Sequence, residues 1–452
     1  MLHRLKFQNF KSWPETDLEF GRITGLFGTN SSGKTSLIQF LLLLKQTKDG
    51  TDRAISLELN GPYVKLGVYH DMIHQHDETQ SLSWSLAIKR SKDLALVDPS
   101  GKRGETIARS RDLLIECEVR ALDQRAVSTK LSYSLADITF ALTPKAESRK
   151  NFELIVKGTD FRFVRTQGRA WQLPGPVKSY AFPDQARTYF QNASFLSDIE
   201  AAYEEQIDNI FYLGPLRDYP QRDYLWARSR PQDVGVKGEK VIDAILAATA
   251  ANELRNVRYK TPRLSFQEMI AYWLREMDLI HDFRVEEIAK DSNRWQARVQ
   301  IQKGGTEAFL TDVGFGVSQV LPVVTLLQYV PAGSTVILEQ PEIHLHPLAQ
   351  ANLADVIINA ATHRQVQIIL ESNSEHLLLR LQRRVAEGIV SSDDIKLYFC
   401  DNPAGVSRLQ PLGLDLFGQI KNWPENFMGD AFGETFAAEK ARLERMKTGA
   451  AE

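Results

Sequence analysis

Alternation is the first signal along this chain. Residues 2–10 and 16–20 switch between apolar and polar positions, which predicts two short antiparallel strands with Lys11, in Asn9-Phe10-Lys11-Ser12-Trp13, at the turn joining them. An unbroken apolar run from Ile23 to Phe27 then predicts a buried strand, and Leu37, Phe40, Leu41 and Leu44 repeat at helical spacing. From about 55 to 165 the period returns to two. Ser81–Ile88, Leu113–Arg120, Ser128–Leu135, Phe152–Lys157 and Phe161–Arg165 predict an antiparallel lobe. Residues 195–285 carry helical stripes in Ala201–Ile210, Val241–Leu246 and Phe266–Leu279, without the heptads of a long coiled coil. The last third returns to apolar strands, at Trp295–Ile301, up to Glu339 and at Gln365–Leu370, separated by helical segments.

Between the first buried strand and the first helix stands Gly28-Thr29-Asn30-Ser31-Ser32-Gly33-Lys34-Thr35-Ser36. Strand, glycine-rich turn and helix, with Lys and Thr after the second glycine, form the P-loop pattern in its required context. Glycines let backbone N–H groups close around an anionic oxygen at a helix N-terminus. Lys34 reaches the β- and γ-phosphates of ATP, and the Thr35 hydroxyl holds Mg²⁺. The cofactor-binding set expected here is Asn30, Ser31, Ser32, Gly33, Lys34, Thr35 and Ser36, with Lys11 added from the nearby turn.

A second anion-type turn, Gly314-Phe315-Gly316-Val317-Ser318, opens another helix, so Gly314, Gly316 and Ser318 join the expected contacts. Two apolar strands then end in polar residues, where ligands of parallel sheets bind. The first runs into Glu339-Gln340-Pro341-Glu342-Ile343-His344-Leu345-His346-Pro347 and the second into Glu371-Ser372-Asn373-Ser374. Acidic groups at such an end support Mg²⁺ and polarise attacking water, making Thr35 and Glu339 the expected metal residues, partly through water.

Composition narrows the class. The 452 residues are 43% hydrophobic and 25% charged with a net charge of −2, which argues against a generally basic nucleic-acid binder. The basic loops Lys89-Arg90-Ser91-Lys92 and Lys102-Arg103-Gly104 read as solvated faces first. Arginines and aromatics interleave from Tyr212 to Arg230, as at phosphate or base-stacking surfaces and equally at salt-bridged ones. His70, His74 and His76 crowd one segment without the framework of a structural metal site. Two cysteines, no signal-peptide pattern and no apolar run of membrane length lead us to expect a cytoplasmic protein without disulfides and without a membrane partner.

The order of P-loop, long insertion, glycine/serine signature, acidic strand and polar strand end resembles the ABC-type ATPase heads of the structural-maintenance-of-chromosomes, RecF and overcoming-lysogenisation-defect class. The phrases Tyr212-Leu213-Gly214-Pro215-Leu216-Arg217 and Trp423-Pro424-Glu425-Asn426-Phe427, with the Lys11 turn and the Glu339–Pro347 stretch, resemble a bacterial subfamily carrying a C-terminal domain of unknown function. The resemblance implies an α/β fold: a P-loop NTPase head with a parallel core sheet and an antiparallel β lobe, plus a helical insertion. It divides the chain into 1–60 (head with P-loop), 61–190 (β lobe), 191–290 (helical insertion), 291–410 (head with signature, acidic strand and switch) and 411–452 (tail). It also implies a homodimer or higher homo-oligomer in which Gly314, Gly316 and Ser318 act on the other subunit's ATP. Relatives of this kind sit in anti-phage defence operons, so an effector protein of nuclease type is the implied partner. A RecF-like ATPase clamping duplex DNA, and an ATP-stabilised oligomer without useful turnover, are the alternatives. Three positions depart from the pattern: Glu339 stands where the family has Asp, Gln340 where it has the catalytic Glu, and Asn373 where it has the switch His. The candidate catalytic set is therefore Glu339, Gln340, Glu342, Glu371 and Asn373, with slow hydrolysis expected because an amide takes no proton from water.

Overall fold

The computed structural model describes residues 1–100, 105–146, 148–168, 172–290 and 292–424, together with 438 and 440–443. The basic loop 102–104 and the last three residues of the Trp423 phrase lie outside them. The opening alternation forms β1 (Leu2–Phe10) and β2 (Trp13–Glu19), paired antiparallel, with Lys11 at φ 52° in the turn. The apolar run forms β3 (Ile23–Gly28) and the stripe after it α1 (Lys34–Asp49). A short helix, α2 (Tyr69–Met72), leads to β4 (Leu82–Val97), β5 (Thr106–Leu122), β6 (Arg125–Leu135), β7 (Ile138–Lys145) and β8 (Ser148–Lys157). With β2 and β1 these make one seven-stranded antiparallel sheet in the order β2-β1-β4-β5-β6-β7-β8.

Then come α3 (Asp184–Tyr189), α4 (Leu196–Asp208), β9 (Ile210–Leu213), β10 (Tyr224–Leu225), α5 (Val241–Ala250), β11 (Leu254–Asn256), β12 (Arg263–Ser265), α6 (Phe266–Glu276), β13 (Asp282–Glu287), β14 (Arg294–Gln300) and β15 (Glu307–Phe309). The last part is α7 (Phe315–Tyr329), β16 (Thr335–Glu339), α8 (Pro347–His363), β17 (Gln367–Glu371), α9 (Glu375–Ala386), β18 (Ile395–Asp401) and β19 (Arg408–Leu412). The core sheet runs β19-β18-β3-β17-β16-β9, parallel throughout except for β19.

Strand pleating explains the layering. Phe27, Val336, Leu338, Ile368 and Leu370 face a core built with α5 to α9, whereas Leu26, Ile337 and Ile369 face one built with α1, α4 and the antiparallel lobe. The fold is thus α/β in three layers, with the parallel strands buried on both faces. Among the described residues no helix is long and apolar enough to cross a membrane.

Three expectations change. Phe161–Arg165 is no strand: only Arg165 bridges to Phe190, and Phe161 and Phe163 are held instead by ring packing on Phe195. The missing lobe strand is β7, joined to β6 by a two-residue turn with Ala136 at φ 52° and no glycine to announce it. Residues 191–290 are not helical throughout. They contain α4, α5 and α6, but also β9, an edge strand of the core sheet, so this stretch is woven into the head by its Leu213–Leu338 register.

Candidate active site

β3 ends where only glycine fits. Gly28 has φ 143°, and a Cβ there would lie 2.1 Å from the Cys400 carbonyl oxygen of neighbouring β18. Gly33, at φ 94°, caps α1, and its Cβ would meet Ser407 Oγ at 2.5 Å and Trp13 Nε1 at 2.7 Å. Trp13 Nε1 donates to the Gly33 carbonyl at 3.1 Å, so the first hairpin braces the loop. Lys34 is buried, and its Nζ donates to the carbonyls of Gly28 (2.9 Å) and Thr29 (2.7 Å). Burial lowers its pKa, and the Glu371 carboxylate partly offsets this. Thr35 Oγ1 donates to Glu371 at 2.9 and 3.1 Å.

The rest of the loop faces the switch. Asn30 Oδ1 accepts from Asn373 Nδ2 at 3.3 Å, Ser31 has φ 62° with its carbonyl accepting from Asn402, and the buried Ser32 hydroxyl has no partner. Ser36 N returns to the Gly33 carbonyl at 3.0 Å. Lys11 Nζ reaches Gln39 on the second turn of α1 at 2.5 Å, beside the loop rather than in it.

These groups fit a nucleoside triphosphate: the glycine-rich turn opens onto the N-terminus of α1, and the Lys34 ammonium and the unpartnered Ser32 hydroxyl stand with it. Thr35, Glu371 and Glu339 carry oxygen donors of the kind that Mg²⁺ takes, and would hold it here. Among the described residues no three His, Cys, Asp or Glu side chains converge on a metal-sized site, so Mg²⁺ would be completed by phosphate and water oxygens.

Sheet register assembles the acidic end. β16 and β17 place Glu339 opposite Glu371, and β17 and β3 place Glu371 opposite Leu26, two residues before Gly28 of the P-loop. Tyr212, from β9, donates its hydroxyl to Glu339 Oε1 at 2.8 Å. Burial pushes Glu339 up to about 7; the Glu371 charge adds to this and the Tyr212 bond opposes it. Glu371 is also raised by burial, against the Thr35 hydrogen bond and the Lys34 charge. Gln340 is held at φ 44°, its N–H on the Glu371 carbonyl at 2.8 Å. Glu342 Oε1 accepts from Ser372 Oγ (2.7 Å) and from the Asn373 N–H (3.0 Å), and burial raises this carboxyl too. One bonded network therefore joins Asn30, Asn373 and Glu342, while Thr35 bonds Glu371 and Lys34 feels its charge.

The signature segment stands apart. Gly314 caps α7, a Cβ on Gly316 would sit 3.0 Å from the His344 carbonyl, and Phe315 packs its ring on His344 (4.9 Å) and Tyr219 (5.5 Å). Its contacts run to the turn after β16, not to the P-loop. Ser318 donates its hydroxyl to the Phe315 carbonyl at 2.8 Å within α7 and is buried, because a serine one turn into a helix can satisfy itself on the preceding turn.

Tyr212, Arg217 and Ser372 are site residues that the expected set omits. The only signal for the first two is a Tyr and an Arg flanking Gly-Pro directly after a short apolar run. The neighbouring arginines form a salt-bridged surface: Arg222 pairs with Asp312, Arg230 with Glu253, and Arg230 also lies over Tyr329. His74 braces the first hairpin, with Nδ1 on the Lys11 carbonyl at 2.7 Å, whereas His76 Nδ1 meets the His70 carbonyl at 2.8 Å within its own segment.

Three family models match. "AAA ATPase domain" covers residues 1–206, "AAA domain, putative AbiEii toxin, Type IV TA system" covers 160–379, and a "Protein of unknown function" family covers 390–437. Among curated proteins no sequence matches the chain. Similar solved structures include an Smc head bound to the C-winged helix domain of ScpA (10% identity, TM-score 0.45, covering 92% of this chain and 98% of that one). Others are an SMC head domain from Thermotoga maritima (11%, 0.42, 91% and 99%) and an Smc head with an extended coiled coil, bound to the C-terminal domain of ScpA, from Pyrococcus furiosus (10%, 0.43, 98% and 99%).

Proposed function

We propose, on the premise that this chain is an AAA ATPase with an ABC-type P-loop head, that it hydrolyses ATP slowly and works chiefly through its ATP-bound, self-associated state. The observation that carries this reading is Gln340. It occupies the turn directly after the acidic strand, between Glu339 and Glu342, and its amide has no oxygen basic enough to take a proton near neutral pH. The residues have distinct parts. Lys34 and the start of α1 bind and orient the phosphates, Thr35, Glu339 and Glu371 hold Mg²⁺, and Asn373 links the P-loop to Glu342. Bound Mg²⁺ supplies charge neutralisation at the phosphates. Glu342 and Glu371, both raised by burial, carry the competing case in which one of them is the base for the attacking water.

Association is supported by what the signature side exposes. Tyr219, 77% exposed, packs its ring on Phe315, 38% exposed, at the N-terminus of α7. A second copy laid on this face brings Gly314 and Gly316 to the other subunit's nucleotide. The long-lived dimer then acts as a sensor and scaffold for an effector of nuclease type in anti-phage defence; the toxin-system description of the family matched at 160–379 supports that setting. Gly314 is the position to test, since a Cβ there meets nothing within 4 Å in its own subunit. Gly314→Arg is expected to bind ATP as the wild type does and to lose ATP-dependent association in sedimentation. A variant that still associates with ATP refutes the shared site.

A further inference from the structure

Segment 214–218 follows β9 and is strapped by the Gly214 N–H on the Val236 carbonyl (2.8 Å) and the Asp218 N–H on the Lys237 carbonyl (3.0 Å). Within it the usual sorting is inverted: Leu216 is 77% exposed, and Arg217 is 6% exposed. A guanidinium taken out of water at such a cost needs a reason in the structure. Its Nη2 donates to the carbonyls of Glu339 (3.1 Å) and Gln340 (3.2 Å), the two that follow the last ladder partner of β9 on β16. One of them belongs to the residue held at φ 44°. Buried Nε and Nη1 have no partner, nor has buried Oε2 of Glu342, the carboxylate whose charge acts on Arg217. Burial pushes the guanidinium pKa down to about 10, against the pull of Glu342.

We propose that Arg217 is a positioning residue for hydrolysis: its clamp on the Glu339 and Gln340 carbonyls holds the left-handed turn, and with it the directions of the Gln340 amide and the Glu342 carboxylate at the P-loop. Left-handed backbone at a non-glycine residue persists only where the surroundings over-determine it. Here the Gln340 N–H is fixed by the Glu371 carbonyl, its own carbonyl accepts from the Ile343 N–H at 3.2 Å within the turn, and Arg217 ties that turn to the segment after β9. Without the clamp the turn relaxes, and the groups that orient water lose their aim while the phosphate-binding loop, held by the Trp13 bond to Gly33 and the pairing of Gly28 with Cys400, keeps its shape. The inference rests on this end of β16 being the hydrolytic end.

The test measures fluorescent-ATP affinity and single-turnover hydrolysis for Arg217→Ala and Arg217→Lys, with and without added methylguanidinium. Expected are ATP affinities within about twofold of wild type and hydrolysis slowed about tenfold or more in both variants, as misplacement near reacting groups produces. Methylguanidinium is expected to restore at least about fivefold of the loss in Arg217→Ala, because a planar group with several fixed donors can refill the cleft. Lysine does not substitute, since one ammonium on a flexible stem does not reproduce that planar fork. Wild-type rates in Arg217→Lys, or affinity and rate falling together without rescue, overturn the proposal. If Arg217→Ala does not fold, Arg217→Lys, which keeps the charge, carries the test. A wild type that binds ATP and never hydrolyses it also overturns the proposal, while leaving the P-loop reading intact; a wild type that does not bind ATP defeats that reading first.

Discussion

Replacing Glu339 by Gln is the perturbation that best separates the cost of this site from its use. Its carboxyl is raised from an ordinary value of 4.5 to about 7, about two and a half units, which corresponds to about 3 kcal/mol. The sign follows from proton binding. Between about pH 4.5 and pH 7 the folded state holds the proton and the unfolded chain has released it, so stability falls as pH rises and stays low above about pH 7. Gln keeps an acceptor for the Tyr212 hydroxyl, now at 2.8 Å from Oε1, and removes the charge. Glu339→Gln is therefore expected to match the wild type in urea near pH 5 and to exceed it by up to about 3 kcal/mol near pH 8. The same substitution removes a Mg²⁺ oxygen donor, so the Mg²⁺-dependent part of ATP affinity should weaken and lose its pH dependence below about pH 7. Unfolding at several pH values, paired with ATP titrations with and without Mg²⁺, measures both. A stability gap that is equal near pH 5 and pH 8, or a variant less stable at every pH, refutes the reasoning.

Lys34→Ala removes the ammonium from the loop and should lower ATP affinity by at least about tenfold, about 1.4 kcal/mol, in a direct binding assay; equal affinity defeats the P-loop assignment. Gln340→Glu should raise steady-state phosphate release by about tenfold or more by adding a base, and should shorten the associated state. If Glu342 or Glu371 already serves as base, Gln340→Glu changes little and Glu342→Gln or Glu371→Gln stops turnover instead. Wild-type turnover at ordinary rates, unmoved by all three, shows that the catalytic end of β16 is wrongly placed.

Local chemistry made the P-loop legible. Gly28 and Gly33 take φ 143° and 94°, a backbone conformation that favours glycine whatever surrounds it, and the residues after them act through a helix N-terminus a few positions long. The strands β3, β16 and β17 were legible for a related reason: a parallel strand buried on both faces must be apolar along its length, so its polar end stands out in sequence. What the chain alone did not determine are the relations between those ends. That Glu371, and not Glu339, meets the Thr35 hydroxyl depends on β17 lying next to β3 with β16 one strand farther out, and strand order leaves no mark on periodicity. β9 escaped notice because four buried residues directly after a helix carry too few positions to show a period of two. Arg217 escaped with it: hydropathy puts a leucine inside and an arginine outside, and only the strapped segment beside β16 inverts them, because there the guanidinium meets the Glu339 and Gln340 carbonyls beyond the end of a ladder.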